Sequence, residues 1–223
     1  MIYLLPFLVV VISYLMVRWL RPKGQGNTKL LLAFSGSFLL ALTFFELLPE
    51  VYVDAQPKLA ALFILIGVLL QVFLESFSMG AEHGHVHHSI NGGDFPKVLF
   101  FSICLHALVE GIPIAEGNGM LYAILVHKLP IAIILSTFLI RSDLKKAYVF
   151  LFMVVFALMT PLGSYLANEL TVFETYKPYL SALAVGVFLH VSTVILFESS
   201  QGHGFNLRKL IVIVLGIGLA FFM

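Results

Sequence analysis

The chain has 223 residues, 60% of them hydrophobic and only 11% charged, with a mean hydropathy of +1.02 and a formal net charge of +1. A soluble domain carries about 25% charged residues, so there is too little polar side chain here to cover a water-facing surface, and the composition is that of an integral membrane protein. No Lys/Arg-rich run forms a nucleic-acid patch, and a single cysteine, Cys104, excludes an intrachain disulfide or thiolate cluster.

A helix needs about 20 apolar residues to cross the hydrocarbon core. The first such stretch, 2–20, has no basic n-region and no small-residue cleavage site, so a retained spanning helix is expected, with Pro6 tolerated in its first turns. RPKGQGN (21–27) reads as a turn before the second span, 30–49, and DAQP (54–57) as a turn before the third, 58–79. The longest connection, AEHGHVHHSINGGDFP (81–96), holds His83, His85, His87 and His88, a composition suited to weak metal gathering. EGNG (116–119) separates spans 97–115 and 119–140, and RSDLKK (141–146) precedes 147–168, 178–198 and 207–223. The expected fold is an all-α bundle of eight transmembrane helices, a single domain over 1–223 with a His-rich loop at 81–96.

Lysine and arginine fall unevenly between the two sides. Ten of the thirteen (Arg18, Arg21, Lys23, Lys29, Lys97, Arg141, Lys145, Lys146, Arg208, Lys209) flank the connections after spans one, three, five and seven. Only Lys58 and Lys177 flank the opposite connections, and Lys128 lies within span five. The positive-inside rule makes the first side cytoplasmic and puts both termini outside.

Depth follows from the 1.5 Å rise per residue. His106 and Glu110, four residues apart and so on one helix face, lie about 14 and 20 Å from the cytoplasmic end of span four. His127 lies about 12 Å from the outer end of span five, level with Glu110, and His190 about 18 Å from the outer end of span seven. Glu46 stands at the outer end of span two, while Glu75 and Glu198 stand at the inner ends of spans three and seven. Acidic and imidazole groups strung from one mouth through the midplane to the other suggest a cation pathway. Gly111 and Pro113 after Glu110, and Pro130 after His127, are expected to break the helices there and free carbonyls near residues 109 and 126. Nitrogen and oxygen ligands of this kind suit Zn²⁺, and Fe²⁺, Mn²⁺ and Cd²⁺ compete for the same donors.

These residues resemble the ZIP (Zrt/Irt-like) family of divalent metal transporters. His106, Glu110 and Gly111 match that family's His-x-x-x-Glu-Gly in span four, and His127 with Pro130 its His–Pro spacing in span five. FFELLPE at the end of span two is similar to H-x-LPE, with Glu46 at the His position, and GVFLHVSTVILFES is similar to the span-seven pattern, with His190 at a Tyr position. The resemblance implies zinc transport into the cytoplasm across the cell membrane, and a homodimer. Two departures shape the expected site. Ala107 stands where the family often has Asn, and Lys128, Ile131 and Ala132 stand where carboxylates are common. A single metal site of His106, Glu110 and His127 is therefore expected, with the Lys128 ammonium in place of a second cation and water, His190 or a freed carbonyl as fourth ligand. Two other readings stand beside it: an intramembrane metal-dependent hydrolase with Glu110 as general base, and a non-transporting relative that binds metal at its His loop.

Overall fold

The computed structural model describes residues 2–20, 26–78, 95–115, 119–198 and 207–223. His83, His85, His87 and His88 lie outside them. The described residues contain helices and no strand: α1 (Leu4–Leu20), α2 (Gly26–Leu42), a π-helical segment (Thr43–Leu47), α3 (Leu48–Asp54), α4 (Pro57–Ser78), α5 (Lys97–Gly111), α6 (Met120–Arg141), α7 (Lys146–Glu169), α8 (Thr171–Glu174), α9 (Lys177–Glu198) and α10 (Leu207–Phe221). This is an all-α, multi-pass membrane protein.

Each of the eight expected spans contains a helix, but five of the helices are long and apolar enough to cross a membrane by themselves: Thr28–Asp54, Pro57–Ser78, Met120–Arg141, Lys146–Glu169 and Lys177–Phe197. α1 is apolar and shorter, and α5 and α10 have 15 residues each, about 22 Å of rise. α5 stops at Gly111, four residues before the expected end of its span, and Ile112 to Ala115 continue without helix. Pro130 and Pro161 sit inside α6 and α7 without ending them.

The second span runs longer than expected and changes pitch toward its C-terminal end. Leu48 N–H donates to Thr43 O, five residues back, and Pro49, which has no N–H, follows at once. Thr43 Oγ1 also donates to Leu39 O at 2.7 Å, a bond that bends helices. The wide turn carries Glu46.

Backbone neighbours form a closed circuit. α2 packs on α6, α6 on α1, α1 on α7, α7 on α5, α5 on α4, α4 on α9, and α9 back on α2, while α10 lies against α2. Two of these contacts are built on reciprocal glycines. A Cβ on Gly67 of α4 would overlap the Leu183 carbonyl of α9, and one on Gly186 of α9 would overlap the Ile64 carbonyl of α4. In the same way a Cβ on Gly111 of α5 would meet Thr160 O of α7, and one on Gly163 of α7 would meet Leu108 O of α5. Lipid tails are as apolar as leucine, so helices in a bilayer associate by close packing of this kind.

Gly186→Ala should therefore destabilise the protein by about 1–3 kcal/mol, the usual cost of overpacking, because a backbone carbonyl cannot step aside as a side chain can. Gly218→Ala, where nothing lies within 4 Å of the added Cβ, should leave stability unchanged. Thermal unfolding of both variants in detergent checks the contrast.

Candidate metal site

α5, α6 and α7 converge on a cavity of about 10 Å³, lined by Ile103, His106, Glu110, His127, Lys128, Ile131 and Phe156. That is close to the room one water needs. Ile103, His106 and Glu110 share a face of α5 through their spacing, and Lys128 and Ile131 share one of α6. All four polar side chains are buried, Glu110 and Lys128 at 2% exposure each.

The centre is an ion pair. Lys128 Nζ lies 2.5 Å from Glu110 Oε2, joining two helices whose contact is carried by side chains and not by close backbone packing. The ammonium also stands over the ring of Phe156, 4.9 Å from its centroid, a cation–π contact that stabilises a desolvated charge. Thr160 Oγ1 donates to Ala107 O at 2.9 Å and approaches Glu110 Oε2 at 3.5 Å. The second carboxylate oxygen, Glu110 Oε1, is buried and has no hydrogen-bond partner among the described residues.

His106 is held from a third direction. Its Nδ1 lies 3.0 Å from Oε1 of Gln71, on α4. Sequence reasoning passed over Gln71, Phe156 and Thr160. The signal available for Gln71 was its place as the one amide in the apolar run 57–78, one turn before Glu75.

The helix break is tied down rather than opened. Val109 O, expected as a freed carbonyl, accepts Ile112 N–H at 3.1 Å. Ile114 O accepts from Ser164 Oγ at 3.2 Å and from Asn168 Nδ2 at 2.8 Å, and Lys177 Nζ donates to Asn168 Oδ1 at 2.7 Å. Hydroxyl and amide groups of α7 thus satisfy the backbone that Gly111 and Pro113 release from the helix.

The other expected ligands lie elsewhere. His190 Nε2 is 2.6 Å from Glu75 Oε2, pairing α9 with α4 in a partly exposed position. Glu46 Oε2 accepts the backbone N–H of Gly119 at 2.8 Å, so the π-helical segment caps the start of α6. A Cβ on Gly119 would sit 2.6 Å from Glu46 Oε1, so the carboxylate would have to shift to admit one. Glu198 is the last residue of α9. Among the described residues no three His, Cys, Asp or Glu side chains are gathered into a ready metal cage. His106, Glu110 and His127 line one cavity, with Lys128 on the carboxylate.

With that geometry in view, the comparisons with known proteins agree on one family. The family model described as ZIP Zinc transporter matches residues 95–223, which include α5, α6, α7, α9 and α10. The chain is 33% identical over 124 residues to Zinc transporter ZIP1 of Danio rerio, an alignment covering 50% of this chain and 40% of that protein. It is 24% identical over 250 residues to Zinc transporter ZIP1 of Homo sapiens, covering 87% of this chain and 77% of that protein. With Zinc transporter ZIP1 of Takifugu rubripes the identity is 28% over 150 residues, covering 62% of this chain and 50% of the relative. The chain thus spans half or less of the fish relatives it matches and about three quarters of the human one. The relatives are named as zinc transporters, which accords with the transport reading and not with the hydrolase one. This chain belongs to the ZIP zinc transporter family.

Proposed function

We propose that this chain moves divalent metal cations, zinc foremost, across the cell membrane into the cytoplasm through one site formed by His106, Glu110 and His127. The observation that carries this reading is the buried Glu110 carboxylate, with one oxygen on Lys128 and the other without a hydrogen bond, in a cavity shared with two imidazoles. A cation arriving there finds nitrogen and oxygen donors that suit zinc. The same donors serve Fe²⁺, Mn²⁺ and Cd²⁺, with selectivity left to geometry.

The fixed ammonium sets how firmly the cation is held. With Lys128 beside Glu110 the pair is neutral, so a divalent cation is not trapped by excess negative charge. Conduction requires binding strong enough to enter and weak enough to leave. The cation can take Oε1 while Lys128 keeps Oε2, with the ammonium held against the Phe156 ring.

Glu46 at the outer end, with Glu75, His190 and Glu198 toward the inner end, supply further donors along the route. His83, His85, His87 and His88 gather metal on the cytoplasmic side. The whole chain, 1–223, works as one transport domain, and the family resemblance implies a second copy of the chain as its partner. The Lys/Arg distribution supports both termini outside.

Glu110→Gln should abolish saturable Zn²⁺ flux in liposomes containing this protein alone, and zinc affinity should fall more than about tenfold (~1.4 kcal/mol). Wild-type flux and affinity in that variant would sink the site.

Lys128→Met should act in the opposite sense on binding. Without metal it leaves Glu110 buried and unpaired, a loss of about 3–5 kcal/mol, whereas replacing both partners with apolar residues costs much less. Zinc should then raise the unfolding temperature of Lys128→Met more than that of the unsubstituted protein, while flux slows. Equal zinc stabilisation of the two proteins would refute the surrogate-cation role.

Orientation has its own test. A single cysteine at Ser142 should react only from the cytoplasmic side and one at Gln56 only from outside, with Cys104 buried and silent. Reversed labelling would overturn the direction of transport proposed here.

A further inference from the structure

Apart from Lys58 in its first turn, α4 is apolar up to its inner half, where LLQVFLES (69–76) carries Gln71 and Glu75 one turn apart. Each faces an imidazole on a different helix, Gln71 that of His106 on α5 and Glu75 that of His190 on α9. Gln71 is fully buried, at 0% exposure. An amide at that depth is costly without hydrogen bonds, and an apolar side chain would pack as well. Its presence calls for polar partners, and one of them is a residue of the candidate site, His106.

The chemistry of the contact is restrictive. A carbonyl oxygen accepts and never donates, so Oε1 at 3.0 Å from Nδ1 is a hydrogen bond only when Nδ1 carries the hydrogen. A neutral imidazole has one N–H, so the other nitrogen, Nε2, then keeps its lone pair. Metal-binding histidines are commonly fixed this way, by an acceptor on the nitrogen that does not bind. Here the acceptor is neutral, and it adds no charge to a centre where Glu110 and Lys128 already cancel.

We propose that Gln71 is a positioning residue: its side-chain carbonyl holds His106 as the Nδ1–H tautomer and so makes Nε2 the nitrogen presented to the cation. This deepens the transport reading above and rests on it for its purpose, though not for its geometry. Gln71 does not touch the cation; it acts through His106.

Nitrogen-15 labelling of the histidine rings in membrane-reconstituted, metal-free protein reads the tautomer directly by magnetic resonance. His106, identified by the signals lost in His106→Ala, should show a protonated Nδ1 and a bare Nε2. Gln71→Met keeps the length and bulk of the side chain but has no oxygen. It should convert His106 wholly or partly to the Nε2–H form, and the His190 signals should stay in place because Glu75 is untouched. Gln71→Glu restores an acceptor and should restore the proton on Nδ1. Zinc binding should weaken by roughly 10–100-fold in Gln71→Met and not in Gln71→Glu. An Nε2–H His106 in the unsubstituted protein, or the same tautomer in Gln71→Met, would overturn the assignment. If the tautomers behave as stated but the unsubstituted protein binds no zinc, the transport reading fails and the Gln71–His106 contact stands.

Discussion

A carboxylate and an ammonium in the middle of an apolar bundle are tolerable only together. Removing either partner of such a pair costs about 3–5 kcal/mol, because the other is left as an uncompensated buried charge. Glu110 comes from α5 and Lys128 from α6, so the pair forms only when both helices present these residues at one level. The neighbours then follow. Phe156 of α7 faces the ammonium, Thr160 of α7 reaches the carboxylate oxygen, and the imidazoles of His106 and His127 close the same small space.

α7 does the holding. Its Thr160, Ser164 and Asn168 lie at successive turns of one face, and each bonds a backbone carbonyl in or just beyond α5. Gly163, between them, lets the two backbones touch. One stripe of small and polar residues thus sets the distance between the helices and satisfies the carbonyls that α5 leaves behind where it ends. The site depends on this arrangement, since Glu110 is the residue before Gly111, where the helix stops.

Much of this was legible in the sequence. Hydropathy located a helix in every expected span, and the i, i+4 spacing put His106 and Glu110 on one face. The substitution of Lys128 for an expected carboxylate pointed to a fixed charge at the centre. What escaped was tertiary. Gln71 and His106 are 35 residues apart, and no local period marks two positions that meet only after α4 packs on α5. The break after Glu110 suggested open carbonyls, but Val109 O is closed locally by Ile112 N–H, and the donors to Ile114 O lie 50 or more residues downstream on α7. Phe156 looked like any other core aromatic, because its role comes from the cation beneath it. The widened turn at Thr43–Leu47 had a sequence cause in Pro49, yet Glu46 capping Gly119 spans 73 residues and could not be read from either end alone.

The reciprocal glycines make two of the helix contacts act as mortised joints. Where each backbone carbonyl sits in the notch left by a missing Cβ on the other helix, slipping the register by one residue would drive that carbonyl into a side chain. α4 with α9, and α5 with α7, are therefore each locked in register. The seam between α5 and α6 has no such interlock, only an ion pair and the side chains around it. Shear concentrates where resistance is lowest, so this seam, with the Glu110–Lys128 pair in it, is among the planes where the bundle yields most easily.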